Sequence, residues 1–138
     1  MTTAVLLSLI GAFYVFAGVI AMKVGLTDRM LDEAISKLSM EPVDRVDVLR
    51  GRWNRAIAGL TFLSGLLAIA RLDVALAAFA ASALAQAAYL FHVAPNVLDK
   101  LDAPDPLGRQ RTRNAFVIYL AATLFVAFYL VNPFDILP

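Results

Sequence analysis

Four side chains able to hydrogen-bond or carry a proton stand at spacings of four, three and three in an otherwise apolar stretch: Ser82, Gln86, Tyr89 and His92. On a helix they share one broad face, which Asn96 and Asp99 extend if the helix continues past Pro95. Gln86 donates and accepts at once. Tyr89 and His92 do so too, and His92 can move a proton near neutral pH. Polar groups in hydrocarbon are costly without partners, so they usually point into a helix bundle. Ser82, Gln86, Tyr89, His92 and Asn96 are therefore a candidate ligand site, a cavity for a small polar or headgroup-bearing molecule. The plainer alternative is interhelical hydrogen bonding by Gln86, with Tyr89 and His92 at the interface, at about 0.6–2 kcal/mol per bond.

Two further groups invite chemistry. Asp99, Asp102 and Asp105 place three carboxylates in one short segment, and such oxygens can hold Mg²⁺ or Ca²⁺. Their spacing matches no complete metal loop, however, and they also balance Lys100 and the arginines that follow. Arg50, Arg52, Arg55, Arg109, Arg111 and Arg113 can bind anionic lipid headgroups, each contributing about 1 kcal/mol near a charged surface. The same arginines can instead serve topology alone, and the two roles are compatible. An enzyme would have to use His92, with Asp99 as its nearest carboxylate. The sequence carries no HExxH, no nucleophile elbow and no phosphate-cradling glycine loop. His92 is the only histidine and there is no cysteine, so a multi-histidine centre, a thiol centre and a disulfide framework are excluded within one chain. No cofactor is expected.

These residues need a scaffold, and composition names the class. The chain has 138 residues, 61% hydrophobic and 17% charged. Soluble domains carry about 45–50% apolar and about 25% charged residues. The excess predicts one all-α integral-membrane domain, a four-helix bundle over residues 1–138. Spans are expected at about 4–26, 55–70, 72–94 and 114–131; hydrocarbon takes ~20 residues to cross, and the second stretch is short for that. Residues 27–54 and 95–113 are expected to connect them. Thr27 or Asp28 can cap a separate amphipathic helix with Met30, Leu31, Ala34, Ile35 and Leu38 on one face. Pro42 ends that helix or starts the next. The helix that carries span two is expected to start earlier, near Val46, with Trp53 at headgroup level. Span three is expected to stop at Pro95, and Asn132-Pro133 to end span four. Small residues Gly18, Ala21 and Gly25, with Ala17, can admit a neighbouring helix backbone closely. No membrane-embedded carboxylate is present of the kind proton-coupled transporters use.

Charge sets the expected orientation. All of the 12 basic residues except Arg71 fall in or beside the two connections. Positive segments resist translocation, so both connections are expected in the cytoplasm and both termini outside. The N-terminal stretch has no basic n-region and is too long for a signal core, so it is expected to remain as a span. The net charge of +1 gives no argument for nucleic acid. The expected partners are the bilayer, anionic headgroups, and a membrane protein or a second copy.

The patch Gly11 to Gly18 (GAFYVFAG), the long first connection, and Leu49-Arg50-Gly51 leading into a glycine-containing second span resemble the DoxX-like small bacterial four-helix membrane proteins. The resemblance covers most of the chain in outline. It implies a bacterial inner-membrane location and, as in some members, an accessory role in a membrane redox system, and it carries over no catalytic residue. The leading functional expectation is a non-enzymatic accessory or scaffold component. The alternatives are a ligand-binding or transport protein with its pocket on span three, and a membrane enzyme using His92.

Overall fold

The computed structural model describes residues 2–104 and 106–131 and is all-helical. Its elements are α1 (Thr2–Ser39), α2 (Arg45–Ile69), α3 (Val74–Ala88), a π-helical segment (Tyr89–Leu98), the short α4 (Asp99–Leu101) and α5 (Pro106–Val131).

α1 departs from the expected two-helix arrangement. It is one unbroken helix of 38 residues, about 57 Å long at ~1.5 Å per residue. Thr27 does not cap a new helix. Its hydroxyl donates to the Lys23 carbonyl one turn back, at 3.0 Å. Arg29 pairs with Glu33 at 2.8 Å across the next turn. No glycine or proline interrupts residues 26–39, so the amphipathic segment simply extends the first apolar helix. The end comes before Pro42, where Met40 adopts a left-handed φ of 57°. Asp44 then caps α2 by accepting the Val46 N–H at 3.0 Å, which sets the start one residue before the expected Val46.

Gly11 and Gly65 let α1 and α2 touch backbone to backbone. A Cβ at Gly65 would lie 2.6 Å from the Val15 nitrogen, and one at Gly11 would lie 2.8 Å from the Gly65 carbonyl oxygen. α2 ends in a tight turn in which Leu72 N–H donates to the Leu67 carbonyl at 3.1 Å and Arg71 N–H to that of Ala68 at 3.1 Å. This is the usual left-handed helix stop, normally made by glycine. Here Arg71 makes it, with φ 56°.

Pro95 does not stop the third helix. It lies inside the π-helical segment, and the helical path continues to Leu101. Proline lacks an N–H and crowds the carbonyl four residues back. The wider i→i+5 turns relieve both problems. Arg109, Arg111 and Arg113 stand on the first turns of α5, not in a loop, because that helix starts at Pro106. Pro106 is at the first helical position, where its missing N–H costs nothing.

Among the described residues three stretches are long and apolar enough to cross a membrane: Ala4–Ser39, Val74–Leu101 and Pro106–Tyr129. α2 is not among them, because its first half carries Arg45, Asp47, Arg50, Arg52 and Arg55. The four long helices share one core of Leu7, Tyr14, Ala68, Ala75, Phe79, Ala83, Tyr119 and Val126. At its centre the Tyr14 ring meets Phe79 and Tyr119 edge-on, with centroids 5.5 and 4.8 Å away. Such pairs add about 0.5–1.5 kcal/mol beyond burial. A second cluster joins Val46 to Val93, Ala94 and Leu98 at the end that carries the arginines. Asn132, Pro133 and the tail to Pro138 lie outside the described residues.

Candidate binding groove

The π-helical segment decides which side chains of the third helix face inward. The buried stripe runs Ser82, Gln86, Leu90, Ala94 and Leu98 at a constant spacing of four. The spacing expected from an ideal α-helix turns off this path after Gln86, because π-turns hold more residues. Ser82 and Gln86 therefore lie inside, Tyr89 is half-buried against Trp53 with ring centroids 6.3 Å apart, and His92 and Asn96 are exposed. The five expected ligand residues do not share one face.

Ser82 and Gln86 belong instead to a polar relay between α2 and α3. Gln86 Nε2 donates to Ser82 Oγ at 3.3 Å. Thr61 Oγ1 donates to the Ile57 carbonyl at 2.8 Å, so in its 3.4 Å contact with Ser82 the Thr61 oxygen accepts. By the same logic Ser64 Oγ donates to the Thr61 carbonyl at 2.8 Å and accepts from the Tyr119 hydroxyl at 2.7 Å. Each hydroxyl proton has a single use, and the relay ends on backbone carbonyls. Gln86 stands at its open end. Its single hydrogen bond among the described residues is the long one to Ser82, so one N–H and the amide carbonyl are unused. The Tyr14 hydroxyl, also buried, has no hydrogen-bond partner among the described residues.

Gln86, Thr61, Tyr14 and Tyr119 all border one groove of about 680 Å³. Ligand sites typically measure about 300–1,000 Å³. α1 supplies one wall through Ala17 and Ala21, α5 the other through Ala115 and Ile118, and α2 the floor through Ile57 and Ala58. Ala17 and Ala21 thus flank open space, while Gly18 meets Phe62 and Gly25 lies beside the Arg55 side chain. At one end the groove carries charge, with Asp28 on α1 and Arg111 on α5 beside Asn54. Neither Asp28 nor Arg111 forms an ion pair among the described residues.

Two smaller spaces adjoin that end. One, of about 630 Å³, sets Asp28, Asp32 and Glu33 of α1 opposite Arg50, Arg52 and Arg55 of α2. The other, of about 200 Å³, lies among Arg50, Asn54, Tyr89, Asp99 and Arg109. Asn54 borders all three. Several expected groups are engaged elsewhere. Arg50 pairs with Asp47 at 3.2 Å, Arg55 donates to the Gly51 carbonyl at 3.1 Å, and Arg109 closes on Asp99. Asp99 is thereby turned to a guanidinium, with no hydrogen bond to His92. Asp102 accepts the Ala103 N–H at 2.7 Å. Among the described residues no three metal-ligating side chains gather; Asp105 lies outside them. Arg52 and Arg113 are exposed.

Asn54, Thr61, Ser64, Tyr14 and Tyr119 were not singled out by sequence reasoning. Thr61 and Ser64 were the legible signal, as hydroxyls in the apolar half of α2. Tyr14 and Tyr119 read only as members of aromatic-rich spans. No family model matches the sequence, and no curated protein or solved structure matches it significantly.

Proposed function

We propose that this chain is a membrane-embedded four-helix bundle that holds a membrane-resident molecule in the groove between α1 and α5, without catalysing its conversion. The observation that carries the reading is Gln86. Its amide is buried, borders the groove and has unused hydrogen-bonding capacity in both directions. A ligand carbonyl in the groove would accept the spare Gln86 N–H, a hydrogen bond contributing about 0.5–1.5 kcal/mol. Catalysis finds less support, since His92 is exposed and lies outside the groove lining.

The membrane reading rests on the three long apolar stretches and on their outward faces. Leu9, Phe16, Leu84, Phe91 and Leu124 are all exposed, an arrangement that lipid tails accept and water penalises. α2 joins them as a shorter span, with its arginine-bearing turns at the headgroups. The arginine-rich ends of α2 and α5 border one cavity, so both basic connections lie at the same end. Under the positive-inside rule that end is cytoplasmic. A bacterial inner-membrane setting with both termini outside accords with the DoxX-like plan.

Mass spectrometry after purification in mild detergent tests the function. A small molecule is expected at near-equal stoichiometry, and Gln86→Leu should deplete it without loss of helicity. If wild-type protein carries nothing and binds no lipid offered to it, the reading fails. An accessory role is favoured by a separate feature: Met30, Leu31, Ile35 and Leu38 form an exposed apolar stripe on the extension of α1. In that case a stoichiometric protein partner would co-purify and be lost on Leu31→Glu with Ile35→Glu.

A further inference from the structure

The shape and charges of the groove point to its ligand, given the binding role proposed above. Along α1 the groove runs from Asp28 to Phe13, about 22 Å at ~1.5 Å per residue. Along α5 it runs only from Arg111 to Tyr119, about 12 Å by the same rise. Beyond Tyr14 and Tyr119 the space closes, because Leu7 of α1 and Val126 of α5 are buried in the shared core. A transmembrane helix would need a track through the full ~30 Å of hydrocarbon. This groove offers about one leaflet, and it opens sideways between α1 and α5, which touch only sparsely.

Polarity divides the groove into two stations. The outer station holds one carboxylate, Asp28, and one guanidinium, Arg111, on opposite walls and without partners among the described residues. The inner station is the Gln86 amide beside Thr61. On α2 the two stations are Asn54 and Thr61, seven residues or about 10 Å apart. A hydrocarbon chain alone leaves both stations unmet. An anion alone would answer Arg111 and be repelled by Asp28.

We infer that the groove binds a glycerophospholipid whose head carries both a phosphate and a primary amine, drawn from the leaflet on the arginine-rich side. The phosphate pairs with Arg111, the ammonium with Asp28, and a glycerol-ester carbonyl accepts the spare Gln86 N–H. The acyl chains pass the small side chains of Ala17 and Ala21 and leave between α1 and α5 into the bilayer.

The test titrates delipidated protein in maltoside micelles with three lipids of identical dioleoyl chains: phosphatidylethanolamine, phosphatidylglycerol and diacylglycerol. Bound fractions are read by native mass spectrometry. Wild type should rank them in that order. Arg111→Ala should weaken both phospholipids about fivefold, the value of one headgroup charge, and leave diacylglycerol unchanged. Asp28→Asn should weaken phosphatidylethanolamine alone by about the same factor. Both positions are exposed. Ala21→Trp should block all three lipids. If the three bind alike, or Asp28→Asn affects both phospholipids equally, the headgroup assignment is overturned while block by Ala21→Trp still supports a ligand groove. If none binds, this inference and the binding role fall together.

Discussion

α1 has two inner faces, and they meet opposite fates. On one, Gly11 and Gly18 are pressed against Gly65 and Phe62 of α2, so closely that no side chain fits. On the other, Ala17 and Ala21 look across open space toward α5. The residue types are alike. In a membrane, small residues permit close approach but do not compel it, since lipid offers no hydrophobic drive for helices to meet. What separates the faces is the neighbour. α2 brings its own glycine to the crossing, and α5 brings Arg111, Thr112 and Ile118.

The sharpest challenge to that contrast is to enlarge one residue on each face. Gly65→Leu should destabilise the protein by about 3 kcal/mol or more, since backbone and not a movable side chain stands in the way. Thermal unfolding in detergent would measure it. A loss below 1 kcal/mol would mean the α1–α2 contact is looser than described. Next in size is Ser64→Ala, which takes from the buried Tyr119 hydroxyl its 2.7 Å partner and leaves it only Ser82; a loss of about 1–2 kcal/mol is expected in the same assay. Arg71→Gly should raise stability by about 0.5–1 kcal/mol, because glycine adopts the left-handed turn between α2 and α3 without strain. The smallest effect belongs to the open face. Ala21→Leu should shift stability by less than about 0.5 kcal/mol, as at other exposed positions, while reducing ligand retention. Equal destabilisation by Ala21→Leu and Gly65→Leu would erase the distinction between the faces.

Legibility in the sequence followed how local the cause was. The break between the spans 55–70 and 72–94 and the start of α2 near Val46 were readable, because an interruption of an apolar run and the length a helix needs are visible within short windows. The continuity of α1 through Thr27 and Asp28 was not readable. Both are good capping residues, and only the hydrogen bond Thr27 makes back to Lys23 shows that capping lost. Pro95 misled for a similar reason. Proline usually ends a helix, and the π-turns that carry the chain past it leave no mark in composition. That one substitution of turn type moved His92 and Asn96 outward and put Leu90 and Ala94 in their place.

The candidate site was half visible. Ser82 and Gln86 stood out as polar residues in an alanine-rich stretch, and they are buried together. Their partners Thr61, Ser64 and Tyr119 come from helices distant along the chain, which spacing within one helix does not report.

Sequence by itself determined the helical class, the apolar bulk and the gathering of cations at one end. Those properties are sums over residue types and short windows, and they need no knowledge of neighbours. Tertiary structure decided which faces close, where the groove is left, and that Gln86 opens into it beside Thr61 and Tyr119. Those outcomes depend on the phase of each helix when it meets another, and a single widened turn is enough to change that phase.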